Sequence, residues 1–557
     1  MVRGKALLIC YNPPMETSGK GIEGYHERTK HHPRHYARSA GYLDWESEPE
    51  PFRRYEGAPL IRLLLADQDP EGTYTDLFDR KGSDARPFTL GNIACFLELS
   101  LGLSAWKSYG NNTWALRMNP SSGNLHPVEG YLVLPPLPGQ ALPGGVYHYS
   151  PFFHGLEARA TFVDTAWPVI KKNFPDGFFA ALSSIHWREA WKYGERAFRY
   201  SHLDMGHAIA AMSFSAALLG WKVTYLNAVS DWEVETILGF TRTRWRKFEQ
   251  EEAGPLLYVH SKGEHAVPRG LPRDIVPLFE SLSFAGEPNL LSRRHQDWGV
   301  IDDASAFTAK PSTRGATFTY EDRPYLVKNV PMVTGAGVIR RRRSALAFDA
   351  RTELARDHFF DILDRTLPRS MCAPFDAELG RASVHLLIFV HRVIGLEPGL
   401  YFLVRGNTGV EVLKQKCGHG FLWKKPPEVP EALPLYILEQ GDFRSQAQSA
   451  SCDQDIAGDG AFAIAMISGF SPGIRQEPYH YRLLHWEAGM IGQVLYLASE
   501  AYGIRGTGMG CFFDDTIHDL LGLRDNTYQD LYHFGAGKPV EDKRVATLPP
   551  YYHLKKS

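Results

Sequence analysis

The chain has 557 residues, which is too long for one hydrophobic core and suits two large domains. With 44% hydrophobic and 22% charged residues and a formal net charge of −2, the composition gives no reason to expect nucleic acid or an anionic membrane surface as a partner. The six cysteines form no CxxC pair, which favours buried free thiols in a reducing cytosol over a disulfide framework or a zinc site, so no metal is predicted. No segment approaches the roughly 20 apolar residues of a membrane span, and we expect a cytoplasmic protein.

Four segments are predicted along the chain. Residues 1–80 are interpreted as an N-terminal extension draped over a surface, because they are rich in His, Arg, Pro and aromatic residues. Residues 81–285 form the first predicted domain. Residues 286–330 have little periodicity and many Pro, Gly, Asp and Ser, which indicates a linker, and residues 331–557 form the second domain.

Each predicted domain contains a strand, a Gly/Pro turn and a second strand. In the first domain Tyr131–Leu134 precedes Pro143–Tyr149, and in the second Leu387–Val390 precedes Pro398–Leu403. The pattern predicts a hairpin at the edge of a sheet in each half. Each half is therefore expected to be an α+β unit with a mixed, mainly antiparallel sheet.

The two halves also resemble each other in sequence. Phe198–Gly206 and Tyr481–Gly489 repeat an aromatic residue, Arg, His, an acid and Gly at the same steps, offset by 283 residues, and the same offset pairs Asp231 with Asp514. A constant offset of this kind indicates a duplicated segment.

The repeated segment is predicted to be a long buried helix. Residues 202–219 are apolar on nearly every side and rich in small residues, and Gly220 follows where a C-terminal glycine belongs. His202 and His485 are interpreted as hydrogen-bonded core histidines and not as metal ligands.

Three polar segments are candidates for chemistry. Asn119–Pro127 presents hydroxyls and an amide from a Pro/Gly loop, which suits the edge of a planar heterocycle, although such turns are common. Arg340–Asp349 starts with four arginines that are predicted to open a helix and to bind phosphate; the alternative is a solvated face. Gly503–Gly510 is predicted to be a mobile loop that a ligand can approach closely, although it lacks the order of a dinucleotide fingerprint.

In combination these segments resemble the nitroreductase superfamily. Arg342–Ser344 with Ala347–Asp349 is similar to the motif with which those proteins hold FMN, and Pro120–Pro127 is similar to their flavin-edge loop, closely so in the SagB-type azoline dehydrogenases. Val146–Tyr149 and the stretch Trp191–Tyr200 also resemble the SagB-type enzymes. The resemblance covers about residues 85–260 and 335–550.

The resemblance implies an FMN site shared by two domains. Family members are α+β dimers with FMN at the subunit interface, so this chain would be two fused domains in an intramolecular pseudo-dimer. The second half has only Gly380–His385 in place of the flavin-edge loop, and the first half has no Arg/Ser motif and no glycine cluster after its helix. One flavin per chain is therefore expected, with a higher oligomer left open. The cofactor-binding residues that the resemblance implies are Pro120, Ser121, Ser122, Asn124, Arg342, Arg343, Ser344, Thr507, Gly508, Met509, Gly510, Lys543 and Arg544.

The resemblance also implies a function. SagB-like enzymes oxidise azolines, which requires a general base, and Lys192 and Tyr193 match the Lys-Tyr pair implicated in that family. Two interpretations of the pair stay open: the base, or a solvated lysine beside an aromatic that packs at a helix start. For the whole chain three functions stay open: a dehydrogenase acting on a small-molecule or peptide-derived heterocycle, an NAD(P)H-dependent nitro or quinone reductase, and a non-catalytic flavoprotein or scaffold in a biosynthetic complex.

Overall fold

The structure is a computed structural model that describes residues 21–78, 84–137, 139, 142–163, 165–261, 267–326, 330–406, 409–418 and 420–556. Parts of the predicted extension and linker, including residues 1–20 and 327–329, and Cys10 lie outside the described residues. No helix in the described ranges has the length and apolar character needed to cross a membrane.

The α-helices and strands of the first part of the chain alternate irregularly. The helices are α1 (Gly21–Arg28), α2 (Leu90–Ser100), α3 (Ala166–Lys171), α4 (His186–Tyr193), α5 (Ala197–Leu218), α6 (Asp231–Leu238), α7 (Val276–Glu280) and α8 (Gly299–Phe307). The strands are β1 (Tyr55–Glu56), β2 (Leu60–Arg62), β3 (Leu103–Tyr109), β4 (Asn112–Arg117), β5 (Val128–Leu134), β6 (Gly145–Ser150), β7 (Gly155–Thr161), β8 (Gly177–Ser184), β9 (Trp221–Tyr225), β10 (Glu252–Ser261) and β11 (Glu287–Pro288).

The second part of the chain follows a related order. Its helices are α9 (Gly335–Arg341), α10 (Arg356–Arg365), α11 (Val410–Lys416), α12 (Arg444–Ala450), α13 (Ile456–Asp459), α14 (Ser471–Gln476), α15 (His480–Ala501) and α16 (Asp514–Leu521). Its strands are β12 (Leu354–Ala355), β13 (Val384–Val390), β14 (Val393–Ile394), β15 (Gly399–Leu403), β16 (Leu435–Gln440), β17 (Phe462–Gly469), β18 (Arg505–Met509), β19 (Tyr528–Gly537) and β20 (Ala546–Leu548).

Two antiparallel sheets share one strand order. The first sheet runs β2-β7-β6-β5-β8-β10-β9 and the second runs β16-β15-β13-β17-β19-β18, so that six strands of the first have counterparts in the same sequence. The predicted α+β class is confirmed. The predicted hairpins form as β5-β6 and β13-β15. Their expected position at the edge of the sheet was wrong, because β7 pairs with β6 and β16 pairs with β15.

The two sheets are joined through α5 and α15. All 22 residues of α5 are buried, as its all-round apolar sequence predicts. The helices cross where neither has a side chain: a Cβ on Gly206 would collide with the Trp486 carbonyl oxygen, and one on Gly489 would collide with that of Leu203. One cluster of buried apolar side chains continues from the first sheet through these helices to the second.

Chain segments from each end pack against the opposite half. Strand β20, near the C-terminus, pairs with β3, and the Tyr551 hydroxyl accepts a hydrogen bond from the Leu103 amide at 2.9 Å. Helix α1 lies against the starts of both long helices, with the Tyr25 ring edge-on to Phe198 and Tyr481. Tyr25 is buried, so this part of the predicted extension belongs to the core.

Reciprocal ion pairs link the halves at positions related by the repeat. Arg199 on α5 bonds Asp514 on α16 at 2.6 Å, and Arg482 on α15 bonds Asp231 on α6 at 2.9 Å. Both acids begin the short helix that follows a long helix and its strand, so each half contributes one arginine and one aspartate to the other.

Candidate functional site

The loop between β4 and β5 presents the predicted polar side chains. Its shape depends on Asp204 of α5, whose carboxylate accepts hydrogen bonds from the Ser122 amide at 3.0 Å and the Ser122 hydroxyl at 2.9 Å. Gly123 and Asn124 follow with positive φ, a conformation that glycine and asparagine tolerate best. The 121–124 loop is therefore held from beneath by a helix of the same half.

The arginine run ends a helix, and the expectation that it opens one was wrong. Helix α9 is capped at its start by the Thr334 hydroxyl, and the arginines follow at its C-terminus, where positive charge complements the helix dipole. Arg340 pairs with Glu98 at 2.8 Å. Arg342 and Arg343 leave the helix in an extended segment and lie against the first half.

The glycine-rich segment is an edge strand, so the mobile loop predicted for it was wrong. Residues 505–509 form β18 and pair with β19. The glycines of this segment have no side chain, so neighbouring aromatic rings pack directly against its backbone. A Cβ on Gly508 would collide with the Tyr532 hydroxyl, and one on Gly510 would collide with the Tyr200 ring. These glycines are therefore required for packing within the protein.

Tyr496 connects this strand to the arginine segment. Its hydroxyl accepts a hydrogen bond from the Gly508 amide at 2.8 Å and shares another with the Ser344 hydroxyl at 2.8 Å. Tyr496 was not predicted, because nothing in the spacing of α15 distinguishes it from the other buried aromatic residues of that helix.

These three segments line one cavity of about 500 Å³, a size typical of small-molecule sites. The wall from the first half includes Pro120–Asn124 and Tyr193, and the wall from the second half includes Arg342–Leu346 and Thr507–Cys511. Segments from different halves therefore meet at this cavity, as expected from the sequence.

Several cationic side chains line the cavity. Arg342 is buried and donates to the Met118 and Arg117 carbonyl oxygens at 3.2 and 3.1 Å. Burial and the neighbouring Arg342 and Arg505 lower the pKa of Arg343 to about 10. Within the described ranges neither Arg342 nor Arg343 has a carboxylate at ion-pair distance. Lys107 and Arg505 also line the cavity and were not predicted.

A buried acid, Asp204, lines the same cavity, and a second buried acid, Glu189, lies near enough to feel its charge. Burial raises the pKa of Asp204 to about 7, against the lowering effect of its hydrogen bonds from Ser121 and Ser122. Burial, and then the charge of Asp204, raise the pKa of Glu189 well above its usual range. Asp204 can therefore gain or lose a proton near neutral pH. Asp204 is the acid of the repeated helix motif, and no role was predicted for it from the sequence.

The other predicted residues divide into two groups. Lys192 and Tyr193 end α4 against the loop, where a Cβ on Gly123 would lie 3.1 Å from the Lys192 Nζ and 2.6 Å from the Tyr193 hydroxyl oxygen. Lys543 and Arg544 are exposed and lie outside the cavity lining, with Arg544 bonded to Asp542 at 2.8 Å.

A second cavity, of about 550 Å³, lies at the related position of the other half. Gly380–Ser383 replaces the 121–124 loop, and Glu487 accepts from the Ser383 amide at 2.9 Å as Asp204 does from Ser122. The predicted linker lines this cavity, and the Asn227 side-chain amide bonds to the Ala316 backbone at 2.7 Å.

Comparisons with known proteins identify nitroreductases as similar in sequence profile and in structure. Residues 111–246 match the sequence profile described as the nitroreductase family, whereas no curated protein matches the chain. A candidate nitroreductase from Anabaena variabilis has a similar structure, with a TM-score of 0.66 and 24% identity over 94% of this chain and 100% of that chain. The chain has a nitroreductase-like fold.

Shorter structures match less of this nitroreductase-like chain. A candidate nitroreductase from Ralstonia eutropha covers 38% of this chain and 96% of its own, with 15% identity and a TM-score of 0.26. A candidate nitroreductase from Exiguobacterium sibiricum, determined in complex with FMN, covers 37% and 87%, with 13% identity and a TM-score of 0.23.

Proposed function

We propose that this chain is an FMN-dependent oxidoreductase of the nitroreductase family, with one flavin held between two fused, pseudo-symmetric domains. The domains are proposed as residues 81–285 and 331–557, joined by residues 286–330 and preceded by an extension. The reciprocal Arg199–Asp514 and Arg482–Asp231 pairs and the shared strand order support the pseudo-dimer.

The unpaired cations of the first cavity carry the proposal. Arg342 and Arg343 have carbonyl oxygens as their hydrogen-bond acceptors, so among the described residues these two guanidinium groups line the cavity without a carboxylate at ion-pair distance. An uncompensated buried cation is costly, and an anionic ligand relieves that cost. The Asn119 Oδ1 also lies buried at this cavity with no hydrogen-bond partner among the described residues. The residues present therefore suit a phosphate joined to a polar, planar ring.

When bound, FMN supplies reversible two-electron chemistry, and the chain supplies position and charge. Arg342, Arg343 and Ser344 would hold the anionic part of the cofactor. The side chains of Ser121, Ser122 and Asn124, with the backbone of Thr507–Gly510, would bond the ring edge. Tyr496 keeps Ser344 and Gly508 in a fixed relation, so both would be set before the cofactor binds.

A spectrum tests the cofactor and its number. We expect one FMN per chain in the purified protein, because the second cavity lacks the Pro-Ser-Ser-Gly-Asn loop and its Asn227 amide is bonded to the linker. Absorbance of the bound flavin against the protein concentration measures this ratio. Two flavins per chain would contradict the single site, and colourless protein that takes up no added FMN would favour a scaffold.

We further propose a SagB-type dehydrogenase that acts on a small-molecule or peptide-derived heterocycle. Its support is the resemblance of Pro120–Pro127, the place of Tyr193 in the cavity lining, and the position of the Lys192 Nζ beside Gly123 of the 121–124 loop. One of this pair would take the proton that leaves the ring, and Asp204, which also lines the cavity, has a pKa of about 7.

Anaerobic mixing of the flavin-loaded protein with candidate donors tests the substrate class. We expect thiazoline or oxazoline peptides to bleach the flavin and Lys192→Ala to slow this bleaching by about 100-fold, as for loss of a general base, with flavin retained. Rapid bleaching by NADPH with no response to azolines would favour a nitro or quinone reductase. An unchanged rate in Lys192→Ala would remove the lysine from the mechanism.

A further inference from the structure

Two cysteines that are distant in sequence meet beside the cationic cavity. Cys452 lies shortly after α12 and Cys511 shortly after β18, and their sulfur atoms are 2.8 Å apart. Cys511 also lines the cavity, next to Gly510. Cys95, Cys372 and Cys417 are buried, whereas Cys452 and Cys511 are both partly exposed.

The backbone holds this pair in an unusual conformation. Cys452 and Asp453 have φ values of +54° and +55°, a region that residues with a side chain rarely adopt and that costs about 1 kcal/mol or more for each. The Gln454 side-chain amide donates to the Ser451 carbonyl oxygen at 2.7 Å and to that of Cys511 at 2.9 Å, so it ties the two loops together. Backbone conformations of this kind persist where the surroundings enforce them, and they are concentrated at functional sites.

The surroundings of Cys511 lower the pKa of its thiol, which favours the thiolate at the cavity. The pKa of Cys511 is lowered first by its hydrogen bond with Cys452 and then by the positive charge of Arg196, while burial and Asp514 oppose the shift. The thiolate is the more readily oxidised form of cysteine. The Cys452 sulfur already in contact is placed to complete a sulfur–sulfur bond when an acceptor removes two electrons.

We propose that Cys452 and Cys511 are a redox-active pair that exchanges two electrons with a flavin bound in the same cavity. This inference rests on the proposed cofactor. In one direction the two thiols form a disulfide bond and release two electrons and two protons, which convert oxidised flavin to its dihydro form. In the other direction the reduced flavin returns two electrons, the sulfur–sulfur bond breaks, and both sulfurs are protonated. The chain thereby stores a second electron pair beside the flavin.

Thiol labelling of the full-length, flavin-loaded protein tests the exchange. The air-oxidised protein is illuminated anaerobically with EDTA to reduce the flavin, quenched in acid and alkylated, and its peptides are analysed by mass spectrometry. We expect a Cys452–Cys511 cross-linked peptide before illumination and two additional alkylated thiols after it. The same illumination of apoprotein should leave the disulfide intact, because no flavin is present to pass electrons.

An electron count gives a second measurement. Reductive titration of the loaded protein should consume about twice the equivalents needed by Cys452→Ser or Cys511→Ser, because flavin and disulfide are each two-electron couples. Cys417→Ala is the matched control, since it removes a thiol far from the pair and should leave the count unchanged. Cys452→Ala replaces either serine variant that fails to fold.

The outcomes separate this inference from the proposed cofactor. If flavin binds and is photoreduced while the labelling of Cys452 and Cys511 stays the same, the exchange is refuted and the flavin enzyme stands. If no flavin binds, both proposals fall. If the cross-link opens equally in apoprotein and loaded protein, the pair does not receive its electrons from the flavin.

Discussion

Asp204 both supports a loop of the candidate site and has a raised pKa. Its carboxyl supports the 121–124 loop through Ser122, and burial raises its pKa to about 7. A carboxyl whose pKa is raised by folding stabilises the protein while it is protonated, and this contribution is lost as the pH rises through the folded pKa.

Asp204→Asn should therefore change how stability depends on pH. The asparagine stays neutral, so wild-type apoprotein should lose free energy of unfolding relative to the variant by up to about 1.4 kcal/mol for each pH unit from about pH 4 to pH 7. Denaturant unfolding of both proteins across this range measures the difference. Parallel curves would show that Asp204 keeps an ordinary pKa.

The arginine run offers a comparison between neighbouring residues. Arg343→Gln should weaken FMN binding by roughly 10- to 100-fold, the loss of a charged hydrogen bond, and leave the apoprotein as stable as wild type or more stable, because repulsion with Arg342 and Arg505 disappears. Flavin titration and apoprotein melting measure the two effects.

Arg340→Gln is the control for that comparison. Arg340 belongs to the same run but pairs with Asp69 and Glu98 outside the cavity, so its loss should lower stability and spare flavin affinity. An equal loss of affinity in both variants would argue against a specific anion site at Arg343.

Three of the predicted segments meet in the structure, but the conformations predicted for two of them were wrong. The segments at Pro120, Arg342 and Thr507 meet at one cavity as predicted, because each carries a local pattern of polar or small residues. Lys107, Tyr496 and the Cys452–Cys511 contact were missed, because they come together only through long-range packing that one sequence does not display.

At the level of elements, the crossing of α5 and α15 requires two glycines. Gly206→Ala should destabilise the protein by roughly 1–3 kcal/mol or more, because its Cβ would meet the Trp486 carbonyl oxygen and force the helices apart. Gly91→Ala in α2 is the matched control, with no atom near the added Cβ and an expected gain of up to about 1 kcal/mol. Thermal melting should move in opposite directions, and equal shifts would contradict this account.

The elements themselves were predictable where one physical factor dominates. The all-round apolar sequence of α5 determined its burial, and Gly220 ended it as expected. The glycines at and just after β18 were wrongly interpreted as a mobile loop that a ligand can approach. The Tyr532 and Tyr200 rings that occupy the space beside Gly508 and Gly510 come from distant parts of the sequence. Likewise, the arginine run gave no sign that Thr334 had already started the helix.

For the whole molecule, the two reciprocal ion pairs differ in strength. Each acid accepts one backbone amide, from His31 at Asp514 and from Lys310 at Asp231. Asp514 is buried and pairs with Arg196 and Arg199, whereas Asp231 is partly exposed and pairs with Arg482 alone among the arginines described. The burial of Asp514 would by itself raise its pKa, but the two arginines lower it below the usual range.

Asp514→Asn should destabilise the protein by about 3–5 kcal/mol, since it leaves two buried guanidinium groups without their counter-charge. Asp231→Asn should cost less, on the order of 1–2 kcal/mol. Denaturant unfolding of both variants decides between this order and equal losses, which would mean that the two junctions contribute alike.

The helix crossing has a practical consequence for measurement. In an association of identical subunits, any substitution is introduced twice and its effects are averaged. Here Gly206 lies against the Trp486 carbonyl oxygen and Gly489 lies against that of Leu203. Because both glycines belong to one chain, each can be substituted separately. A double-mutant cycle between them would report how strongly one side of the crossing senses the other.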